Sequence, residues 1–156
     1  MENILIKIKK FNEIALTNSI PFKITRDLKE NFAAEFIINE NKFLVLFKEA
    51  SHGGLAIIEL SFAIFDKNDE LLSFDLTRKN RNQFLIFSTI ITISKVYLDK
   101  YKPDMFMYSS DKGEMSRTKL YSLFADSIEK YISEYELYEI DKTHPCDVYF
   151  IFKRRN

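Results

Sequence analysis

The 156-residue chain has no tryptophan, one cysteine (Cys146) and three glycines (Gly53, Gly54, Gly113). A single cysteine excludes an intrachain disulfide and fits a reducing compartment. Scarce glycine weighs against loops whose bare backbone closes on a phosphate. An excess of charge of one sign is also missing, since 23 basic side chains balance 23 acidic ones. A general nucleic-acid binder needs clustered positive potential, so nucleic acid is not the expected partner. That class would require Lys7, Lys9, Lys10, Arg78, Lys79 and Arg81 to gather on one face. The basic end Lys153-Arg154-Arg155 reads as a solvated terminus. Long apolar runs are absent too. The most apolar stretch, Phe84 to Leu98, is interrupted by Ser88, Thr89, Thr92, Ser94 and Lys95, so no membrane span is expected. No cationic segment followed by an apolar one opens the chain, which points to the cytoplasm.

What is present is a folding chain. Hydrophobic residues make up 46% and charged residues 29%, the balance of a soluble domain. The length suits one domain, residues 1–156, with a real core. Fifteen Phe and eight Tyr favour sheet packing.

Along the chain, Ile4, Ile8, Phe11 and Ala15 predict a short amphipathic helix over 2–16. A strand starting at Ile4-Leu5-Ile6 is the alternative. Pro21 bars continuation. Phe22 to Arg26 alternates as a short edge strand. Phe32 to Asn39 and Phe43 to Lys48 form a hairpin around the polar turn Asn39-Glu40-Asn41-Lys42. Phe43, Val45 and Phe47 face one way and Leu44 and Leu46 the other, which predicts cover on both sides. Ser51-His52-Gly53-Gly54 reads as a loop. Leu55 to Phe65 and Leu71 to Leu76 form a second hairpin turning at Asp66-Lys67-Asn68-Asp69, a solvated turn rather than a calcium loop.

Phe84 to Tyr101 is rich in β-branched residues, yet Ile86, Ile90, Ile93, Tyr97 and Tyr101 keep a helical stripe, with Phe87, Ile91, Ser94 and Leu98 beside it. Lys102-Pro103 stops that helix. Met105 to Ser109 is a short strand. Ser116 is the N-cap of a second helix carrying Leu120, Phe124, Ile128, Tyr131 and Tyr135. Two strands, Glu136 to Ile140 and Asp147 to Lys153, end the chain. No metal site is expected. His52, His144 and Cys146 lack ligand spacing, and no partner orients Cys146 as a nucleophile.

Three short motifs carry a resemblance: Asn82-Gln83-Phe84-Leu85-Ile86-Phe87-Ser88-Thr89-Ile90, Lys102-Pro103-Asp104, and Ser116-Arg117-Thr118-Lys119-Leu120-Tyr121. In this order the C-terminal half resembles the GNAT-type N-acetyltransferase fold, and in particular small GNAT-like proteins encoded by bacteriophages. The resemblance implies an α+β fold. Its sheet of about six to seven strands is central and mostly antiparallel, with a splayed strand pair and flanking helices.

In that family a loop of the form Arg/Gln-x-x-Gly-x-Gly/Ala cradles the pyrophosphate of acetyl-CoA on backbone N–H groups. The matching cofactor-binding residues are Arg78, Asn80, Arg81, Asn82 and Gln83. Arg81 and Gln83 stand where the family has glycine and a small residue. The loop is therefore either a modified anion site or one whose acyl-CoA role has lapsed. Tyr121 matches the family tyrosine that protonates the leaving thiolate, and a phenol pKa of about 10 suits that donation. Glu59 is the candidate base. Two functions follow. One is a non-catalytic, protein-binding or structural accessory module of phage or mobile-element type, needing no cofactor, with a protein or a second copy as partner. The other is an acetyl-CoA-dependent N-acetyltransferase.

Overall fold

A computed structural model of the chain describes residues 19–72, 83–113 and 115–156. Four strands come first: β1 (Lys23–Leu28), β2 (Asn31–Ile38), β3 (Asn41–His52) and β4 (Leu55–Phe65). Each pairs antiparallel with the next. Alternation sorts their side chains, and Phe32, Ala34, Phe36, Phe43, Val45, Phe47 and Leu60 are buried on one face.

Both long hairpins turn on two residues. Asn39 and Glu40 have φ of 50° and 68°, and Gly53 and Gly54 have 58° and 80°. Two consecutive positive φ values match the right-handed twist of the strands they join. The first turn is thus shorter than the four residues the sequence suggests, because Asn41 and Lys42 pair with Ile38 and Ile37. Likewise Ser51 and His52 are strand rather than loop, paired with Ala56 and Leu55. Polar side chains pointing to solvent leave the backbone free to pair, so polarity alone does not end a strand.

The second hairpin turns where expected. The Asp66 carboxylate accepts the N–H groups of Asn68 and Glu70 at 2.8 and 3.0 Å, and β5 (Leu71–Leu72) returns beside Ile64 and Phe65. Then come α1 (Gln83–Tyr101), β6 (Met105–Asp111), α2 (Met115–Tyr131), β7 (Tyr135–Asp141) and β8 (Asp147–Arg154). Both predicted stripes of α1 are buried as far as Leu98, and Tyr101 at the end of the first is half-buried. Three of the hydroxyls on α1 are satisfied locally, Ser88 and Thr89 donating to the Leu85 carbonyl and Thr92 to that of Ser88, while the buried Ser94 hydroxyl has no partner among the described residues. The helix ends with Lys102 at φ 45° before Pro103. Helix α2 starts one residue before Ser116 and stops at Tyr131, so Tyr135 is not helical but opens β7. The predicted helix over 2–16 and the end of the strand at 73–76 lie outside the described residues.

The sheet runs β1-β2-β3-β4-β6-β8-β7, with β5 on the edge of β4. Among the described residues every pairing is antiparallel except β4 with β6. Both helices pack on one face. Phe87, Tyr97, Phe124 and Ile128 meet Phe32, Phe47, Phe106, Tyr108, Phe150 and Phe152 in a single core. Each fully buried Phe side chain contributes about 1.5–3 kcal/mol of transfer free energy. The second face carries a small cluster of strand residues, Ile57, Met107 and Ile151. Leu44 and Leu46 on this face are only half-buried, so cover on both sides of β3 is incomplete. No described helix is long and apolar enough to cross a membrane.

Candidate functional site

Strands β4 and β6 touch through only two register pairs, Ile58 with Phe106 and Glu59 with Met107. Beyond these, residues 60–65 and 108–111 do not pair with each other, and a wedge opens toward the C-terminal ends. This is the splayed pair that the resemblance implies. Parting two parallel strands frees backbone N–H and C=O groups, which must find partners elsewhere. On the β4 side part of that demand is met by β5, whose Leu72 and Leu71 pair with Ile64 and Phe65.

Aromatic rings line the helix side of the wedge. The Phe124 ring of α2 lies 6.0 Å from Phe62, 5.3 Å from Tyr108 and 5.2 Å from Phe87 between centroids. The Tyr121 ring stands edge-on to Tyr108 at 5.7 Å. The Tyr108 hydroxyl donates to the Tyr121 carbonyl at 2.8 Å. Burial pushes the Tyr108 phenol well above its ordinary pKa, so it stays a donor.

The sequence-derived site residues distribute as follows. Tyr121 is buried on the helix side. Glu59 is half-buried and shares the second face with Met107, its register partner. The two flank the apex of the wedge from opposite faces of the sheet and do not meet. Gln83 is the first residue of α1. Arg78, Asn80, Arg81 and Asn82 lie outside the described residues.

No family model and no curated protein matches the chain. Among solved structures it is similar to an acetyltransferase of the GNAT family from Streptococcus pneumoniae, with a TM-score of 0.46 and 10% identity over 83% of this chain and 70% of that one. The α+β architecture with one parted parallel pair stands on the strand register itself.

A polar group on the second face escaped sequence reasoning. The β3–β4 hairpin leans across β6 and β8, bringing His52 Nε2 within 2.8 Å of Asp141 Oδ2 on β7. The other oxygen of Asp141 accepts from the Thr143 hydroxyl and N–H at 2.6 and 2.9 Å. These Thr143 bonds, with a smaller part from His52, lower the Asp141 carboxyl to about 2. A carboxylate oxygen can only accept, so His52 Nε2 carries the hydrogen of this bond. Its ring tilts against Tyr149 at 4.8 Å, and His144 stands edge-on to the same Tyr149 at 5.7 Å. Burial, then Asp147 and Glu59, push the Tyr149 phenol up.

His52 and Asp141 are 89 residues apart, and no local pattern links them. The His144 Nδ1 accepts the N–H groups of Cys146 and Asp147 at 3.1 and 3.0 Å, which pins its own loop. Among the described residues, no three His, Cys, Asp or Glu side chains are placed to hold a metal ion.

Proposed function

We propose that this chain is a protein-binding module on a GNAT-like frame, an accessory protein of phage or mobile-element type whose acyl-CoA loop has lapsed. The observation that carries this reading is the aromatic lining of the wedge. Phe62, Tyr108, Tyr121 and Phe124 occupy its helix side, and β5 takes part of the β4 edge that an extended ligand would need. In the sequence, Arg81 and Gln83 stand where the resemblance has glycine and a small residue. Exposed apolar side chains at the two ends of one cross-strand row support protein binding. Ile37, Lys42, Phe65 and Leu71 align across four strands, with Ile37 67% and Leu71 69% exposed, Phe65 half-buried and Lys42 the one charged member.

Calorimetry with acetyl-CoA tests the reading. No binding at millimolar ligand is expected, and micromolar binding would overturn it. The parted strands, with Glu59 at the apex, favour a second reading as an N-acetyltransferase. Under it, acetyl-CoA with an amine acceptor would release free thiol, and Glu59→Gln would slow that release.

A further inference from the structure

At the other end of the strand pair, where β4 and β6 begin, lies a cavity of about 380 Å³. Its floor is apolar, formed by Leu55, Ile57 and Met105, and Leu55 is 65% exposed. Its rim is acidic. Glu30 comes from the β1–β2 turn, Glu49 from β3 and Asp104 from the segment before β6. Lys29 is the one cation among the lining residues. Asp104 is already engaged by Arg154 at 3.3 Å. Glu30 and Glu49 have neither a hydrogen bond nor an ion pair from their carboxylates among the described residues.

Two buried phenols fix the walls. The Tyr97 hydroxyl donates to the Lys29 carbonyl at 2.5 Å, and the Tyr135 hydroxyl to the Pro103 carbonyl at 2.6 Å. Both rings are fully buried, so the turn holding Glu30 and the segment holding Pro103 are each tied to the core. A cleft with fixed walls costs a ligand less ordering entropy than one that must form on binding.

We propose that this cleft docks a basic segment of a partner protein. A lysine or arginine lays its methylene stem on Leu55 and Ile57 and brings its charge to Glu30 and Glu49. The charge balance selects the occupant. With Asp104 paired to Arg154, Glu30 and Glu49 outweigh the Lys29 ammonium and disfavour phosphate and anionic surfaces, and among the described residues no three His, Cys, Asp or Glu side chains are placed to hold a metal ion. The wedge is at the far end of β4 and β6, so binding here is independent of whether acyl-CoA occupies the wedge.

The test uses the full chain and a fluorescein-labelled peptide of alternating lysine and leucine, read by fluorescence anisotropy. Saturable binding below about 1 mM is expected, a range fitting one small cleft. Glu30→Gln with Glu49→Gln should weaken it about tenfold, and Leu55→Ser should weaken it severalfold. All three positions are exposed, so the variants keep the wild-type far-ultraviolet circular dichroism. The glutamate–leucine counterpart should not bind. The proposal is overturned by no saturation below about 1 mM, or by equal binding to the double glutamine variant. Displacement of the peptide by an equal concentration of spermidine also overturns it, since the cleft would then be a polyamine pocket.

Discussion

Replacing Phe124 by alanine probes whether aromatic packing closes the wedge. The ring is fully buried and meets Phe87, Tyr108 and Phe62 at 5.2, 5.3 and 6.0 Å. Large-to-small core substitutions of this kind cost about 3–5 kcal/mol, the transfer loss plus the cavity left behind. With three ring neighbours anchored on α1, β4 and β6, collapse into the void is limited, so about 4 kcal/mol is the working figure. Total stability for a domain is about 5–15 kcal/mol, so the loss is a large fraction of it. At this chain length a kcal/mol shifts Tm by about 2–4 °C, giving a fall of roughly 8–16 °C. With an m-value of about 2 kcal/mol/M, the urea midpoint falls by about 2 M. Thermal and urea unfolding followed by circular dichroism measure both. A fall of less than about 3 °C with unchanged m would refute the packing, because a ring in contact with three others cannot be removed so cheaply. Phe62→Ala completes a double-mutant cycle, with an expected coupling of about 1 kcal/mol. Additive losses would mean that the two rings do not bridge the wedge.

Three further outcomes rest on other parts of the fold. The Asp141 carboxyl is lowered from 3.8 to about 2, so its contribution to stability is present above 3.8 and is lost as pH falls through about 2. Thr143→Val removes the hydroxyl donor and should move the Asp141 titration back up toward 3.8, seen by carbon-detected NMR. An unmoved midpoint would show that the hydroxyl does not hold the carboxylate. Glu40 has φ of 68°, where a side chain is strained, so Glu40→Gly should stabilise the chain by up to about 1 kcal/mol. Differential scanning calorimetry reads this, and a lower Tm would contradict the turn geometry. The absence of acetyl-CoA binding by titration calorimetry is the outcome expected at the wedge.

Much of the fold was legible because it is local. Phe43, Val45 and Phe47 alternate on the helix-packed face, and the stripes through Ile86 and Phe87 fall on buried positions of α1 as far as Leu98. Pro103 ends that helix as its missing N–H requires. The end of α2 was not legible. Tyr135 continues the helical spacing from Tyr131, and no Gly or Pro intervenes to break it. Tertiary contacts favour the strand: Tyr135 is buried against Phe106 with its hydroxyl on the Pro103 carbonyl, and its backbone pairs with Arg154 of β8. The two-residue turn at Asn39-Glu40 was hidden by polar neighbours that pair through their backbone.

The order of elements and their apolar faces are properties of the sequence by itself, since periodicity and turn residues act over a few positions. Where β4 and β6 part is a tertiary decision. Two register pairs hold them, while helices and β5 compete for everything beyond. The same holds for the His52–Asp141 contact and for the acidic cleft. Their residues come from distant turns and strands, and only the closed chain brings their charges within range of one another.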